Sequence, residues 1–241
     1  MKIYDTLIIG SCYRALGYAI TRGETVIVEE RELCDTQLCL PLYSFRREEK
    51  EPTTELGASL KRHFDELRLY EGNMQNTAAI EIGFCRFASE YNTEIFLKCR
   101  VVSATLCNGY YDVRTVSGEG TVHLFAKQII DMRADGKERS ITMLVTAENG
   151  IGLAELESTF ENSLIEPAFY NGRYAIHVPV GEEENIRSAT ERVYSEFIKK
   201  VQNAKLIHVA HAISVSHSDR DFGGPIGALE DGIRLAREGK I

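Results

Sequence analysis

Short apolar runs punctuated by glycine open the chain. Thr6-Leu7-Ile8-Ile9-Gly10 has the pattern of a buried parallel strand ending on glycine. Ser11 to Ile20 follows, small and apolar enough for a helix packed on a sheet, and Gly23 stops it. Thr25-Val26-Ile27-Val28 is a second, β-branched run, closed by Glu29-Glu30. Strand, glycine turn, helix, strand and acid make a βαβ unit, which predicts an α/β fold on a parallel sheet.

Farther on the period lengthens. Leu56 to Leu69 reads as a helix with Leu60, Phe64 and Leu67 on one face, and Ala78 to Tyr91 as another. Val101–Leu106, Tyr110–Val116 and Thr121–Phe125 then alternate as short strands around Asn108-Gly109 and Ser117-Gly118, which are hairpin turns. Gln128–Asp131 returns as an apolar strand ending in an acid. A different lobe follows, with strands at Ile141–Val145 and Tyr174–Val180 and an amphipathic helix between Glu182 and Val201. Leu206–Ala210 is a last strand, and Gly223-Gly224-Pro225 opens a last helix running through Arg237.

Length and charge narrow the classes. At 241 residues the chain suits one large domain, or a domain with a smaller lobe inserted in it. The formal charge of −8, with no basic block, argues against nucleic acid, which needs clustered cations to displace counterions. The apolar run near the N-terminus is too short for a signal peptide or a membrane span, so a cytoplasmic protein with no membrane partner is expected. Six cysteines (12, 34, 39, 85, 99 and 107) sit in the first half, and reduced thiols are expected. No Cys-x-x-Cys or paired-histidine spacing predicts a metal site.

The first βα turn carries the most chemistry. A dinucleotide fold wants Gly-x-Gly-x-x-Gly there, so that backbone N–H groups approach a pyrophosphate at the helix start. The sequence reads Gly10-Ser11-Cys12-Tyr13-Arg14-Ala15, with cysteine where the middle glycine belongs and where its side chain is expected to crowd a phosphate. Glu29 stands where a ribose-binding acid belongs. A βαβ unit that binds nothing is the alternative reading. Arg14 either meets a phosphate directly or is a solvated helix arginine.

Tyr4 through Glu29 resembles the start of FAD-dependent oxidoreductases of the glutathione-reductase-like superfamily. Two further segments resemble that superfamily in the order it uses them. Lys127-Gln128-Ile129-Ile130-Asp131-Met132-Arg133-Ala134-Asp135-Gly136 is similar to its second nucleotide-contacting strand, written Ile-Asp-Ala-Thr-Gly-Asp-Gly. Leu206 to His217 is similar to its late Ala-Gly-Arg-Ala-Ile-Ser strand, and the Gly223-Gly224 helix to the one that points at the flavin. Arg133-Ala134 replace the usual Thr-Gly, His211 falls near the family's arginine, and the lobe is smaller than the usual substrate domain.

The resemblance implies an α/β Rossmann-like FAD/NAD(P)-binding domain with a parallel central sheet, a β-hairpin or meander insertion and a small inserted α/β lobe. It places the FAD domain at 1–140 and 206–241, and the lobe at 141–205. It implies FAD as cofactor, contacted by Gly10, Ser11, Cys12, Arg14, Ala15, Glu29, Asp131, Gly223 and Gly224. His211 and His217 are the implied catalytic candidates, near the flavin. The implied activity is hydride transfer between a small-molecule substrate and flavin, as a homo-oligomer or beside a partner subunit. A non-catalytic nucleotide-binding or structural subunit that lost the cofactor is one alternative. Cys34-Asp35-Thr36-Gln37-Leu38-Cys39-Leu40-Pro41 is similar to the Cys-x4-Cys-x-Pro of flavin disulfide reductases, so a thiol–disulfide flavoenzyme using Cys34 and Cys39 is another.

Overall fold

A six-stranded sheet forms the centre of the computed structural model, which describes residues 2–34, 51–72, 74–133, 135–147, 150–216 and 222–239, with backbone alone at 78, 135–138 and 211–216. Strands β1 (Ile3–Ile9) and β2 (Thr25–Val28) are parallel neighbours joined through helix α1 (Tyr13–Arg22). After β2 come α2 (Glu55–Glu66), a short hairpin of β3 (Tyr70–Glu71) and β4 (Met74–Gln75), and α3 (Thr77–Glu90). Strand β5 (Glu94–Phe96) then joins the far side of β2. The meander of β6 (Arg100–Cys107), β7 (Tyr110–Ser117) and β8 (Gly120–Asp131) completes the order β5-β2-β1-β8-β7-β6.

The two apolar runs read as Thr121–Phe125 and Gln128–Asp131 are one strand with two jobs. Its first half pairs antiparallel with β7, and its second half runs parallel to β1 from Phe125 to Asp131. Strand residues alternate faces. Ile8, Ile27 and Ile130 therefore pack under α1, while Leu7, Val26 and Val28 pack with Val113, Leu124 and Ala126 of the meander. The central strands are buried on both sides, as a parallel sheet requires.

The chain leaves this sheet through β9 (Asp135–Thr146) into a second, antiparallel sheet of order β10-β11-β9-β12. Its other strands are β10 (Leu164–Pro167), β11 (Arg173–Val180) and β12 (Lys205–Ser216). Helices α4 (Gly150–Thr159) and α5 (Ile186–Lys200) cover one face, where Leu156, Val193 and Phe197 meet Ile141, Met143 and Ile176. The segment 206–216, grouped in the sequence with the first unit, belongs to this sheet and pairs with β9. The last helix, α6 (Pro225–Glu238), returns to α1.

The α1–α6 contact is unusually close. A Cβ at Gly17 would lie 2.1 Å from the Leu229 carbonyl oxygen, and one at Gly232 would lie 2.0 Å from that of Arg14. Two glycines facing each other's helix thus let the backbones touch. Neither was singled out as a packing residue in the sequence, because a mid-helix glycine signals only a weak helix former.

Candidate functional site

The carboxyl ends of β1, β2 and β8 converge where the chain leaves β1 for β2 on one side while β8 lies on the other. In open parallel sheets this switch point is where a crevice forms. Gly10 turns the chain with φ of +99°, a conformation suited to glycine. A Cβ there would also sit 3.0 Å from the Arg133 backbone nitrogen. Gly10 N–H donates to the Val28 carbonyl, which joins the turn to the end of β2.

Glu29 is at that end and is buried. Its Oε2 accepts from both the Ser11 amide and the Ser11 hydroxyl, each at 2.8 Å, and its Oε1 accepts from the Arg31 amide at 3.0 Å. Its own amide donates to the Phe96 carbonyl, and its carbonyl accepts from Cys99. A buried carboxylate needs such donors to remain charged. Each carboxylate oxygen has two lone pairs, so Oε1 keeps room for one more donor.

Cys12 departs from the crowding expected of it. Its backbone is extended, with φ of −137°, and its side chain turns inward, where Sγ accepts from the Ala15 amide as the N-cap of α1. The thiol lies among Ile8, Ile130 and Met132 and is 1% exposed, so it leaves the approach to the turn open. The cap does occupy the Ala15 amide assigned to a pyrophosphate. Tyr13 anchors the next position, donating its hydroxyl to the Ile80 carbonyl on α3 and stacking edge-on with Phe64 and Phe84.

Of the two arginines near the turn, Arg14 is engaged by α6 and the residue before its glycine turn. Its Nε pairs with Asp231 on α6 at 2.7 Å, and its guanidinium lies over the Phe222 ring. Arg133 is the cation beside Gly10. It is half-exposed and bound to Asp131 through its backbone N–H and its guanidinium. Burial works to raise the Asp131 pKa, but the Arg133 hydrogen bonds and charge prevail and hold the carboxyl below its ordinary value. The bond to Asp131 raises the Arg133 pKa in turn, helped by the field of Glu30 and Glu29. The resemblance places Arg133 only where the family usually has threonine. A cation two residues after a nucleotide-contacting acid was the signal available.

Gly223 and Gly224 both take positive φ, 84° and 107°, as the chain turns into α6. Gly224 is the N-cap, Pro225 follows at the first helical position, and among the described residues no side chain caps the helix. Among the described residues a Cβ at Gly224 would meet nothing within 4 Å, so none of them closes the α6 start on that side. A helix start of this kind favours negative charge.

The remaining expected residues are Cys34, Cys39, His211 and His217. Cys34 is buried among Tyr13, Ile80 and Phe84, and its thiol is hydrogen-bonded to Cys85 on α3 and reaches Ser11. Cys39 and His217 lie outside the described residues. His211 is described by backbone alone, opposite Ile141 in the β9–β12 ladder. The second sheet holds a buried polar group that the sequence reading passed over. On the face away from α4 and α5, His177 Nδ1 lies 3.0 Å from the Thr142 hydroxyl, and its Nε2 lies 3.6 Å from Glu166. Among the described residues no cluster of metal-binding side chains occurs, and no helix is long and apolar enough to cross a membrane.

No family model matches the chain, and no curated protein matches it in sequence. Solved structures do match in shape. The p-nitrophenol 4-monooxygenase PnpA from Pseudomonas putida DLL-E4 matches with a TM-score of 0.59 and 12% identity, over 98% of this chain and 79% of that one. Aklavinone-11 hydroxylase, in a ternary complex with FAD and aklavinone, gives 0.56 and 12% over 98% of this chain, which spans 62% of the hydroxylase. Glycine oxidase from Bacillus cereus ATCC 14579 gives 0.53 and 14% over 99% of this chain and 96% of the oxidase. Likeness at this level of identity shows the fold, a Rossmann-like α/β architecture with a parallel central sheet and an additional antiparallel one.

Proposed function

We propose that the chain binds FAD at the carboxyl ends of β1, β2 and β8 and acts as an oxidoreductase on a small molecule. The observation that carries this reading is Glu29, a buried carboxylate at the end of β2 held by Ser11 of the glycine turn. The shared fold of a monooxygenase, an FAD-bound hydroxylase and an oxidase supports it.

The residues present fit the cofactor in three places. Glu29 Oε1 can accept one ribose hydroxyl, and rotation of the Ser11 hydroxyl frees a position on Oε2 for the second. Gly10 and the α1 start, with Arg133 beside them, offer the diphosphate a tight turn and a guanidinium. Asp131 holds that guanidinium in place. Arg133 takes the phosphate role that the sequence assigned to Arg14. The α6 start at Gly223 and Gly224 favours the negative charge of reduced flavin. Bound flavin would supply hydride acceptance; the protein's part is binding, orientation and exclusion of water. His211 and His217 are our candidates for proton transfer there, with 1–140 and 206–241 as the FAD domain and 141–205 as the inserted lobe, β9 and β12 being the strands that run from one into the other.

A second reading, a nucleotide-fold subunit without cofactor, is favoured by one observation. Ser11 and Cys12 already satisfy the Glu29 carboxylate and the Ala15 amide from within the chain. Titration with FAD, read by quenching of flavin fluorescence, separates the two. The FAD reading expects saturable binding that weakens at least tenfold in Arg133→Ala and is unchanged in Arg187→Ala, a surface arginine on α5. Absence of saturation selects the second reading.

A further inference from the structure

Two thiols that are far apart in sequence meet beside the glycine turn. Cys34 follows β2 by six residues and is 1% exposed, packed in one apolar cluster with Ile80, Phe84 and Ala88 of α3. Cys85 is on that same helix, next to Phe84 but on its exposed side. The two thiols are close enough to share a hydrogen bond, and neither is in a disulfide. One partner is therefore open to solvent and the other is shielded directly behind it.

We propose that Cys85 and Cys34 are a thiol–disulfide pair, with Cys85 attacking a low-molecular-weight disulfide and Cys34 resolving the adduct. In the first step the Cys85 thiolate forms a bond to one sulfur of the small disulfide, whose S–S bond breaks and releases one thiolate. In the second, Cys34 gives its proton to water and attacks Cys85 Sγ, expelling the other half of the small disulfide as a second thiolate. Two electrons pass from the protein sulfurs to the small disulfide, which leaves as two thiols. The product is a Cys34–Cys85 disulfide joining the segment after β2 to α3.

The electrostatics divide the roles the same way. The hydrogen bond from Cys34 lowers the Cys85 pKa, against burial and the charge of Glu81 one turn earlier. The same bond, then burial, pushes the Cys34 thiol far up. A thiolate is the nucleophile, so the exposed cysteine attacks and the buried one waits. Once Cys85 carries an adduct it no longer offers a thiolate to Cys34, and the largest influence raising the Cys34 pKa is gone. This pairing is independent of FAD. It also differs from the Cys34–Cys39 spacing noted in the sequence.

The test treats the full chain with oxidised glutathione, blocks remaining thiols by alkylation, and maps the peptides by mass. The expected product links Cys34 to Cys85, and Cys34→Ser stops at a glutathione adduct on Cys85. Alkylation at neutral pH before oxidation should be several-fold faster at Cys85 than at Cys107, an exposed thiol on β6 that serves as an internal control in the unsubstituted protein. A Cys34–Cys39 link overturns the proposal. So does a stable adduct on Cys85 in the unsubstituted chain, or equal alkylation rates at Cys85 and Cys107.

Discussion

Ser11 gives both of its donors, amide and hydroxyl, to a single oxygen of Glu29. The glycine turn and the acid at the end of β2, 18 residues apart in sequence, are thus one hydrogen-bonded unit. A buried carboxylate with three donors is part of the fold as well as a candidate ligand-binding group.

Glu29→Ala should therefore cost stability as well as any ribose contact. It strands the Ser11 and Arg31 amides, and bonds to a charged group contribute roughly 1.5–3 kcal/mol each. We expect a loss of about 3 kcal/mol in urea unfolding, together with at least tenfold weaker FAD binding. Glu30→Ala should stay within about 0.5 kcal/mol, as a surface change does, because its partner Arg100 is 3.8 Å away and both are exposed. Equal losses at the two positions would refute the assignment.

Gly17→Ala tests the helix contact. The new methyl would lie 2.1 Å from the Leu229 carbonyl oxygen, so α1 and α6 must separate. Overpacking commonly costs 1–3 kcal/mol, and a clash with backbone falls at about 3 kcal/mol or above. Gly118→Ala, in an open turn, should change urea stability by about 0.5 kcal/mol at most.

Legibility followed the range of the interaction. The βαβ unit from Thr6 to Val28 and the turn at Asn108-Gly109 are local patterns, and the chain forms them where the patterns stand. Strand β8 was read as two because Ala126-Lys127 interrupts its apolar run. The reason for one long strand is that its halves serve different neighbours. Helix α4 was missed because Gly150 and Gly152 weaken its start and its apolar residues follow no clear stripe. The sheet that β12 joins is set by pairing with β9, about 70 residues earlier, which no local window contains. At the site, Gly10 and Glu29 were legible from motif spacing. Arg133, the Gly17–Gly232 contact and the Cys34–Cys85 pair were not, because each depends on a neighbour brought in by the fold.

The two arginines should separate in their effects. Arg14→Ala removes a half-buried pair with Asp231 and should lower stability by about 1 kcal/mol, with little change in FAD affinity. Arg133→Ala should do the reverse, weakening FAD binding at least tenfold with stability nearly unchanged. Thermal melts and FAD titrations on the same two proteins check both. The opposite assignment would return the phosphate role to Arg14.

Asp131 supplies a pH signature. Its folded pKa is depressed, so its stabilisation is present above the ordinary value of 3.8 and is lost as pH falls through the lower folded value. Asp131→Asn should be less stable than the parent at pH 7, by a few tenths of a kcal/mol for so exposed a pair. The two unfolding curves should converge as the medium is acidified below the ordinary carboxyl value. A gap that persists or widens in acid would show that Asp131 acts through packing rather than charge.

Calorimetric titration of the purified chain with FAD tests the central claim most directly. The account predicts one FAD per chain with a Kd in or below the micromolar range, about −8 kcal/mol, and a visible flavin absorption band retained after desalting. A chain that takes up no heat with millimolar FAD and remains colourless would contradict it.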